Sequence, residues 1–178
     1  MMEIDGDLLL HNVLHCQAKL DAAVIFEAYP EAAMVQNNDR MLPLHIALSC
    51  SADYDVIMML FQAYPEAASV KDNDRLLPLH YAAGHNASLE VTKLLYEANP
   101  MAVNEKGNFE ELPLHTALQC NTTLDVIKVL LYEAYPDVVK VKDIDGDLLL
   151  HFALRSESDP DIIKMIFDAY PEAEGTIL

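Results

Sequence analysis

The stretch Asp74-Arg75-Leu76-Leu77-Pro78-Leu79-His80-Tyr81-Ala82-Ala83 contains the motif that decides the fold, because its core, Leu-Pro-Leu-His, recurs along the chain. Five copies occur, with Leu in place of Pro in the first and the last. Their histidines are 34, 35, 35 and 36 residues apart and are His11, His45, His80, His115 and His151. A constant period in the thirties is typical of stacked helical repeats, not of a compact enzyme domain. We therefore expect a single domain, residues 1–178, with repeats at 4–37, 38–72, 73–107, 108–143 and 144–178.

A second recurring marker supports these boundaries. It is a proline, preceded four times by Ala-Tyr and once by Ala-Asn, at Pro30, Pro65, Pro100, Pro136 and Pro171. Each of the first four prolines lies 15 residues before the next motif histidine, which indicates one fixed conformation for that segment. The distance from histidine to proline varies from 19 to 21 residues. The fourth repeat carries the extra residue within 124–135, and we expect a bulge or a longer linker there.

Each repeat predicts two short helices, so the expected fold class is an all-α helix-turn-helix solenoid with short hairpin-like connecting loops. The first helix begins at the motif proline, which is tolerated at the first helical position. The second helix begins after an N-cap residue, namely Asp53, Ser88, Thr123 or Asp159. It ends at the Tyr-Pro element, because proline disfavours helical geometry in the residue before it. An aromatic column four residues before each proline is expected in the core: Phe26, Phe61, Tyr96, Tyr132 and Phe167.

Composition limits the classes of partner. The formal net charge is −18, from 29 acidic and 11 basic residues, and it argues against nucleic acid and anionic lipid, which both attract lysine and arginine. It favours a protein partner with a basic surface. No basic segment followed by an apolar run opens the chain, and three cysteines fit a reducing compartment, so we expect an intracellular protein, cytoplasmic or nuclear. No catalytic motif or phosphate-binding glycine loop is present, so we expect no enzyme and no cofactor.

The segment 74–83, followed by Val91-Thr92-Lys93-Leu94-Leu95, resembles an ankyrin repeat, and the resemblance extends over residues 4–178. The family's threonine in the motif is leucine in all five repeats. The usual hairpin glycine survives only as Gly6 and Gly146; Arg40, Arg75 and Glu110 take its place elsewhere. The resemblance implies the paired helices, and these departures lead us to expect a tighter, differently angled hairpin.

The resemblance also implies that the five motif histidines bond to backbone and connect adjacent repeats. Equivalent positions on stacked helices are about 8–10 Å apart, whereas zinc needs ligands at about 2.0–2.3 Å. The same spacing argues against metal or disulfide in the column that contains Cys16, Cys50, His85, Cys120 and Ser156. A site that uses His15 beside Cys16, or His85, is the less favoured alternative.

Partner contacts in ankyrin arrays come from hairpin tips and from the exposed face of the first helix. Transferred residue by residue, the candidates are Met41, Leu76, Phe109 and Glu111 in hairpins, and His15, Cys50, His85 and Cys120 on helices. Met41, Leu76 and Phe109 are apolar where a solvated loop is normally polar, which suggests an interface. The alternative is that the shortened loops fold these three side chains against the next repeat.

These features predict a non-catalytic protein-interaction module that binds a partner on its concave face. The alternative is an architectural segment of a longer array, or a unit that associates weakly end to end through its terminal repeats. Residues 3–11 nearly duplicate residues 143–151, and the apolar helix at 162–167 has no evident polar cap. Solenoid ends normally need such caps.

Overall fold

The computed structural model describes Leu10, His11, Leu14, Glu27, residues 29–133 and residues 136–170. In this part the all-helical repeat fold expected from the sequence is confirmed. Its α-helices are α1 Pro43–Ser49, α2 Tyr54–Ala63, α3 Pro78–Gly84, α4 Leu89–Ala98, α5 Pro113–Gln119, α6 Leu124–Glu133, α7 Leu149–Arg155 and α8 Pro160–Ala169. Four short 3₁₀ turns begin at prolines and are Pro30–Met34, Pro65–Ser69, Pro100–Asn104 and Pro136–Lys140.

The first helix of each repeat (α1, α3, α5 and α7) is capped by the motif histidine. The backbone N–H of Leu42 donates to Nδ1 of His45 at 3.0 Å, and the other three described repeats form the same bond. This bond satisfies an N–H group that has no partner inside the helix. The leucine that precedes each helix is buried, at Leu42, Leu77, Leu112 and Leu148. Histidine therefore supplies the polar cap, and leucine contributes its side chain to the core.

Each first helix ends in a left-handed residue, and these are Ser51, Asn86, Asn121 and Glu157, with φ between 51° and 55°. In the first of them the N–H of Ser51 bonds to the carbonyl of Leu48 and the N–H of Ala52 to that of Ala47, at 3.1 and 2.8 Å. This pair of bonds is the Schellman motif. It reverses the chain within a few residues, so the second helix packs back on the first.

The second helices (α2, α4, α6 and α8) begin at the expected caps, and two caps form side-chain bonds. Ser88 Oγ accepts from the N–H of Val91 at 3.3 Å, and Asp159 Oδ1 from that of Asp161 at 2.8 Å. The interpretation of the aromatic column as core is wrong for the fourth repeat, where Tyr132 is 75% exposed. Helix α6 begins 35 residues after α4, but Pro136 follows Pro100 by 36, so the extra residue lies after Glu133. Leu131 is therefore the partly buried equivalent of Phe61 and Tyr96.

The core runs through the stack as columns of equivalent side chains. One column of alanines, Ala47, Ala82, Ala117 and Ala153, has no exposed surface, which lets neighbouring first helices approach closely. Beside it lies the leucine column Leu44, Leu79, Leu114 and Leu150, with at most 2% exposure. Burial of one such leucine contributes about 1.5–3 kcal/mol to folding. Because these columns continue from one repeat to the next, each repeat depends on its neighbours for its core.

Tight five-residue turns connect the repeats at 37–41, 72–76, 107–111 and 143–147, and we call them hairpins. In the second of these, the N–H of Asp72 bonds to the carbonyl of Leu76 at 3.1 Å, and Asp72 Oδ1 accepts from the N–H groups of Asp74 and Leu76. The fourth position of every hairpin has positive φ, at Arg40, Arg75, Glu110 and Gly146. The conformation that usually calls for glycine is thus retained where arginine or glutamate replaces it.

Candidate protein-binding face

The hairpins and the C-terminal ends of the first helices form one continuous surface, which we call the hairpin–helix face. Adjacent hairpins are joined by backbone bonds of 2.9 Å, from the N–H of Asn73 to the carbonyl of Asp39, from Asn108 to Asp74, and from Ile144 to Phe109. Side chains add a second set, because Asn73 Nδ2 donates to the carbonyl of Asn38 and Asn108 Nδ2 to that of Asn73. This asparagine ladder holds the hairpins at fixed spacing, so the face is a preorganised surface.

The three apolar hairpin residues singled out from the sequence lie in different environments. Met41 is half-buried against the core, and Leu76 is half-buried beside Gly107. Phe109 is 61% exposed. The structure therefore does not bring the three together as an exposed patch.

The helix candidates also differ. Cys120 is an exposed thiol, and His85 is exposed with its ring stacked on Tyr81 at 6.2 Å between centroids. Cys50 is half-buried, with its Sγ 3.7 Å from Ser49 Oγ. His15 lies outside the described residues. Among the described helix candidates, His85 and Cys120 offer the most accessible side chains.

Glu111 has a structural contact that the sequence does not reveal. Its Oε2 accepts a hydrogen bond from the N–H of Phe109 at 2.8 Å. In the other described hairpins the N–H of the third residue donates instead to the side chain of the first residue, namely Asn37, Asp72 or Asp143. Gly107 stands at that first position and has no side chain to offer. Glu111 therefore supplies the missing oxygen from the other end of the hairpin.

A groove of about 290 Å³ crosses the hairpin–helix face between the fourth and fifth repeats. Its hairpin side includes Phe109 and Ile144, both 61% exposed, and its helix side includes Phe152 and Arg155. The remaining lining residues are Glu111, His115, Thr116, Gln119, Asp143 and Asp145. Two of the sequence-derived candidates, Phe109 and Glu111, thus meet here, and the groove adds residues that were not chosen from the sequence.

Ile144 and Phe152 are the apolar lining residues that sequence reasoning missed. A signal for Ile144 was present, because its column is asparagine in the second, third and fourth repeats, at Asn38, Asn73 and Asn108, and is isoleucine only here and at Ile4. The isoleucine interrupts the asparagine ladder and places a second apolar side chain next to Phe109 at the hairpin tips.

Arg155 covers one wall of the groove. Its guanidinium lies 4.8 Å from the centre of the Phe152 ring, within the range of a cation–π contact. Its Nη1 donates to Asp147 Oδ2 at 2.7 Å, and this bond holds the pKa of the Asp147 carboxyl below its usual range. The positive charge of Arg155 is therefore already partnered within the repeat.

A second polar cluster lies at the third repeat. The buried carboxylate of Asp72 accepts a hydrogen bond from the Tyr81 hydroxyl at 2.6 Å. Burial, followed by this bond, raises the pKa of Tyr81. Tyr81 also meets His45 edge to face, with ring centroids 5.6 Å apart. All of these groups contact one another, so the cluster stabilises the hairpin and leaves none of them available to bind a ligand.

The motif histidines connect each first helix to the segment that leads into the next hairpin. His45 Nε2 donates to the carbonyl of Val70 and His80 Nε2 to that of Glu105, both at 3.1 Å. Burial lowers the pKa of His45, His80 and His115 from 6.5 to about 4, so the rings are neutral near pH 7. At His115 the nearby Asp143 carboxylate and then the Val141 backbone partly oppose this fall in pKa, but His115 Nε2 lies outside hydrogen-bond geometry with every described residue. The extra residue of the fourth repeat falls within this His115–Val141 interval.

Two further features concern metals and membranes. In the described part of the chain, no three His, Cys, Asp or Glu side chains lie close enough together to hold a metal ion. No helix there has both the length and the apolar character needed to cross a bilayer.

Comparison with known proteins identifies the repeat. A family model described as ankyrin repeats, in three copies, matches residues 44–140 and again residues 79–176. No curated protein matches the chain.

Proposed function

The chain belongs to the ankyrin-repeat family, and on that premise we propose that it is a non-catalytic module that binds another protein through its hairpin–helix face. Ankyrin repeats generally act as protein-interaction modules and are typically non-catalytic. We further propose that this face is the concave side of a five-repeat array that occupies residues 1–178, in an intracellular protein.

The observation that carries the proposal is the exposed apolar pair Phe109 and Ile144 on a surface fixed by backbone bonds. Both side chains are 61% exposed, and Ile144 N–H bonds to the Phe109 carbonyl at 2.9 Å, so the pair has a defined geometry. Aromatic side chains, phenylalanine among them, are enriched in protein interfaces relative to the rest of the surface. Neighbouring repeats carry asparagine or aspartate at both positions, so the fold itself does not require this pair.

Charge supports a basic partner. The exposed hairpin aspartates Asp39, Asp74 and Asp145 face the same surface, and the whole chain has a net charge of −18. Complementary charge accelerates association and favours one partner over others. Added salt should therefore weaken the complex, because it screens exposed charges.

The test compares two variants with the same change in charge. One carries Asp39→Arg, Asp74→Arg and Asp145→Arg on the hairpin–helix face; the control carries Glu66→Arg, Glu97→Arg and Asp168→Arg, at exposed positions in a 3₁₀ turn and second helices. Quantitative mass spectrometry of proteins captured from a lysate should reveal a set lost only with the first variant. Equal loss with both variants, or loss with neither, contradicts binding through this face.

An end-to-end or longer-array role is the second candidate, and one column favours it. Leu48, Ala83 and Leu118 are at most 1% exposed, but Leu154, their equivalent in the fifth repeat, is 43% exposed. In the earlier repeats, the following repeat lies on this side of the stack. Another repeat, from a longer chain or a second copy, would cover Leu154 in the same way. Analytical ultracentrifugation of the chain and of Leu154→Glu distinguishes a self-associating end from a monomer.

A further inference from the structure

From the groove between the fourth and fifth repeats we infer the chemistry of the ligand: a peptide segment with one bulky apolar side chain next to lysine or arginine. The inference rests on the proposed function and specifies its partner.

The groove is small and open, which suits an inserted side chain of a longer ligand. It has about 290 Å³, at the lower limit of the about 300–1,000 Å³ that pockets for complete small molecules usually occupy. It is open between the hairpins and the first helices, so a chain can enter and leave along the face. Phe109 and Ile144 give it an apolar wall on one side, and the guanidinium of Arg155 over the buried Phe152 ring forms the other side. An aromatic, leucine or methionine side chain fits within this volume and can contact the apolar wall.

The charges around the groove determine which residue of the peptide can lie next to the inserted apolar side chain. Glu111, Asp143 and Asp145 carry three negative charges, and Arg155 carries the single positive charge of the lining. Arg155 is bonded to Asp147, and the three carboxylates of the lining outnumber it, so the lining is net negative. Asp145 is exposed and has no side-chain partner among the described residues. A lysine or arginine beside the inserted side chain would pair with Asp145, and an acidic residue there would be repelled.

Gln119 adds a polar contact for the peptide backbone. It is exposed at the end of α5, lines the groove, and its amide makes no side-chain hydrogen bond among the described residues. An amide offers both a donor and an acceptor, which is what a peptide group requires.

The test starts from a phage-displayed library of random 12-residue peptides selected on the full chain. We expect enrichment of Phe, Leu, Ile, Met or Trp within two residues of Lys or Arg. Fluorescein-labelled synthetic copies of the selected peptides are then titrated against variants. Phe109→Asp and Ile144→Asn should each weaken binding at least about 10-fold, as loss of a central interface residue does. Asp145→Lys should weaken it about 3- to 10-fold and reduce its dependence on salt.

These variants are compatible with the fold, because each introduces a residue that other repeats have at the equivalent position. Phe109→Asp introduces the residue of Asp39, Asp74 and Asp145, and Ile144→Asn that of Asn38, Asn73 and Asn108. Tyr132→Asp is the control, since Tyr132 is 75% exposed but lies on a second helix. It should leave peptide affinity unchanged. Thermal unfolding of each variant verifies that the fold is intact.

The outcomes separate the two proposals. Peptides that bind equally well to wild type and to both groove variants would overturn the groove inference and leave the hairpin–helix face as a binding surface elsewhere along the array. A consensus rich in aspartate or glutamate, or no enrichment over an unselected library, would overturn the stated ligand chemistry. Failure of the charge-variant capture experiment, in contrast, would refute the proposed function itself.

Discussion

The carboxylate of Glu111 and the backbone N–H of Phe109 form a 2.8 Å hydrogen bond that takes the place of the bond made by the first residue of the other described hairpins. At that first position, a methyl group on Gly107 would overlap Glu111 and Leu76. Glycine at one end of the hairpin and glutamate at the other are therefore a coupled pair. Neither choice is explained without the other.

This coupling is testable with a double-mutant cycle. Gly107→Asp alone should destabilise the chain by about 1–3 kcal/mol, because the new side chain meets Glu111. Glu111→Leu alone should cost about 1–2 kcal/mol through the lost bond to a charged acceptor. The double variant recreates the pairing of Asp72 with Leu76 and should recover the losses that involve Glu111, while the contact with the Leu76 side chain remains. Urea unfolding measures all four proteins. Additive losses would show that the two positions are independent.

Ile144→Asn should stabilise the array while it removes a wall of the groove. The new amide is placed to donate to the carbonyl of Asn108, as Asn108 donates to Asn73 at 3.1 Å. One such bond contributes about 0.5–1.5 kcal/mol. Ile144→Ser, which is polar but too short for the ladder, is the control. If both variants have the same midpoint of unfolding, the ladder does not stabilise the stack.

Left-handed hairpin residues provide another comparison. Arg75 has φ of 63° without being glycine, so Arg75→Gly relieves backbone strain and should stabilise the chain by about 0.5 kcal/mol after the entropy of glycine is considered. Gly146 has φ of 86° with open space where a Cβ would stand, so Gly146→Ala isolates the backbone effect. We expect it to destabilise by about 1 kcal/mol. Opposite signs in thermal unfolding are the expected result.

Stability should fall as pH is lowered from about 6.5 to 4, in part through the buried histidines. The pKa of His80 is about 4 in the fold because burial disfavours its charged form, and it returns towards 6.5 on unfolding. The unfolded chain therefore binds more protons in this window, at a slope of about 1.4 kcal/mol per pH unit for each such histidine.

His80→Gln separates this effect from the titration of the many carboxylates. The variant should be less stable than wild type at pH 7, since it loses the bonds to Leu77 and Glu105. The gap should narrow by roughly 2–3 kcal/mol towards pH 4, because only wild type loses the contribution of a neutral His80. Unfolding in urea at each half pH unit provides the curve. A gap that does not change with pH would contradict the assigned cause.

His80 and His115 should differ in their contribution to stability. His80 bonds through both ring nitrogens, but His115 Nε2 has no partner among the described residues. His115→Gln should therefore cost about 1 kcal/mol less than His80→Gln, the contribution of one hydrogen bond. Parallel unfolding measurements at pH 7 make the comparison. Equal losses would mean that the bond to Glu105 contributes nothing.

The repeats made most of the fold predictable, because each one serves as an alignment for the others. Recurrent prolines such as Pro43 and caps such as Ser88 mark helix starts that the structure confirms. Tyr132 was misplaced because proline-based counting assumes that the extra residue precedes it, whereas the helix maintains its register through Glu133. Only the observed end of the helix shows where the extra residue is accommodated.

The candidate site was less predictable for a different reason. Comparing equivalent positions of the repeats reveals unusual residues, and Phe109 was found in this way. Whether such a side chain is exposed, however, depends on its neighbours in the adjacent repeat. Leu76 is half-buried beside Gly107, and Glu111 turns inward because that glycine leaves space. Ile144 stands out only once the asparagines of its column are seen to bond across hairpins. A residue is most informative where it differs from equivalent residues whose structural role is known.

The missing bond at His115 has a consequence for local unfolding. The second and third repeats have this bond, from His45 to Val70 and from His80 to Glu105, and the fourth repeat does not. Local opening of the segment that leads into the last described hairpin should therefore cost less free energy than opening of its counterparts. The groove lies beside this segment, because His115 and Asp143 line it, so a bound peptide would oppose the opening by mass action. Binding and local unfolding are thus coupled at one place in the molecule.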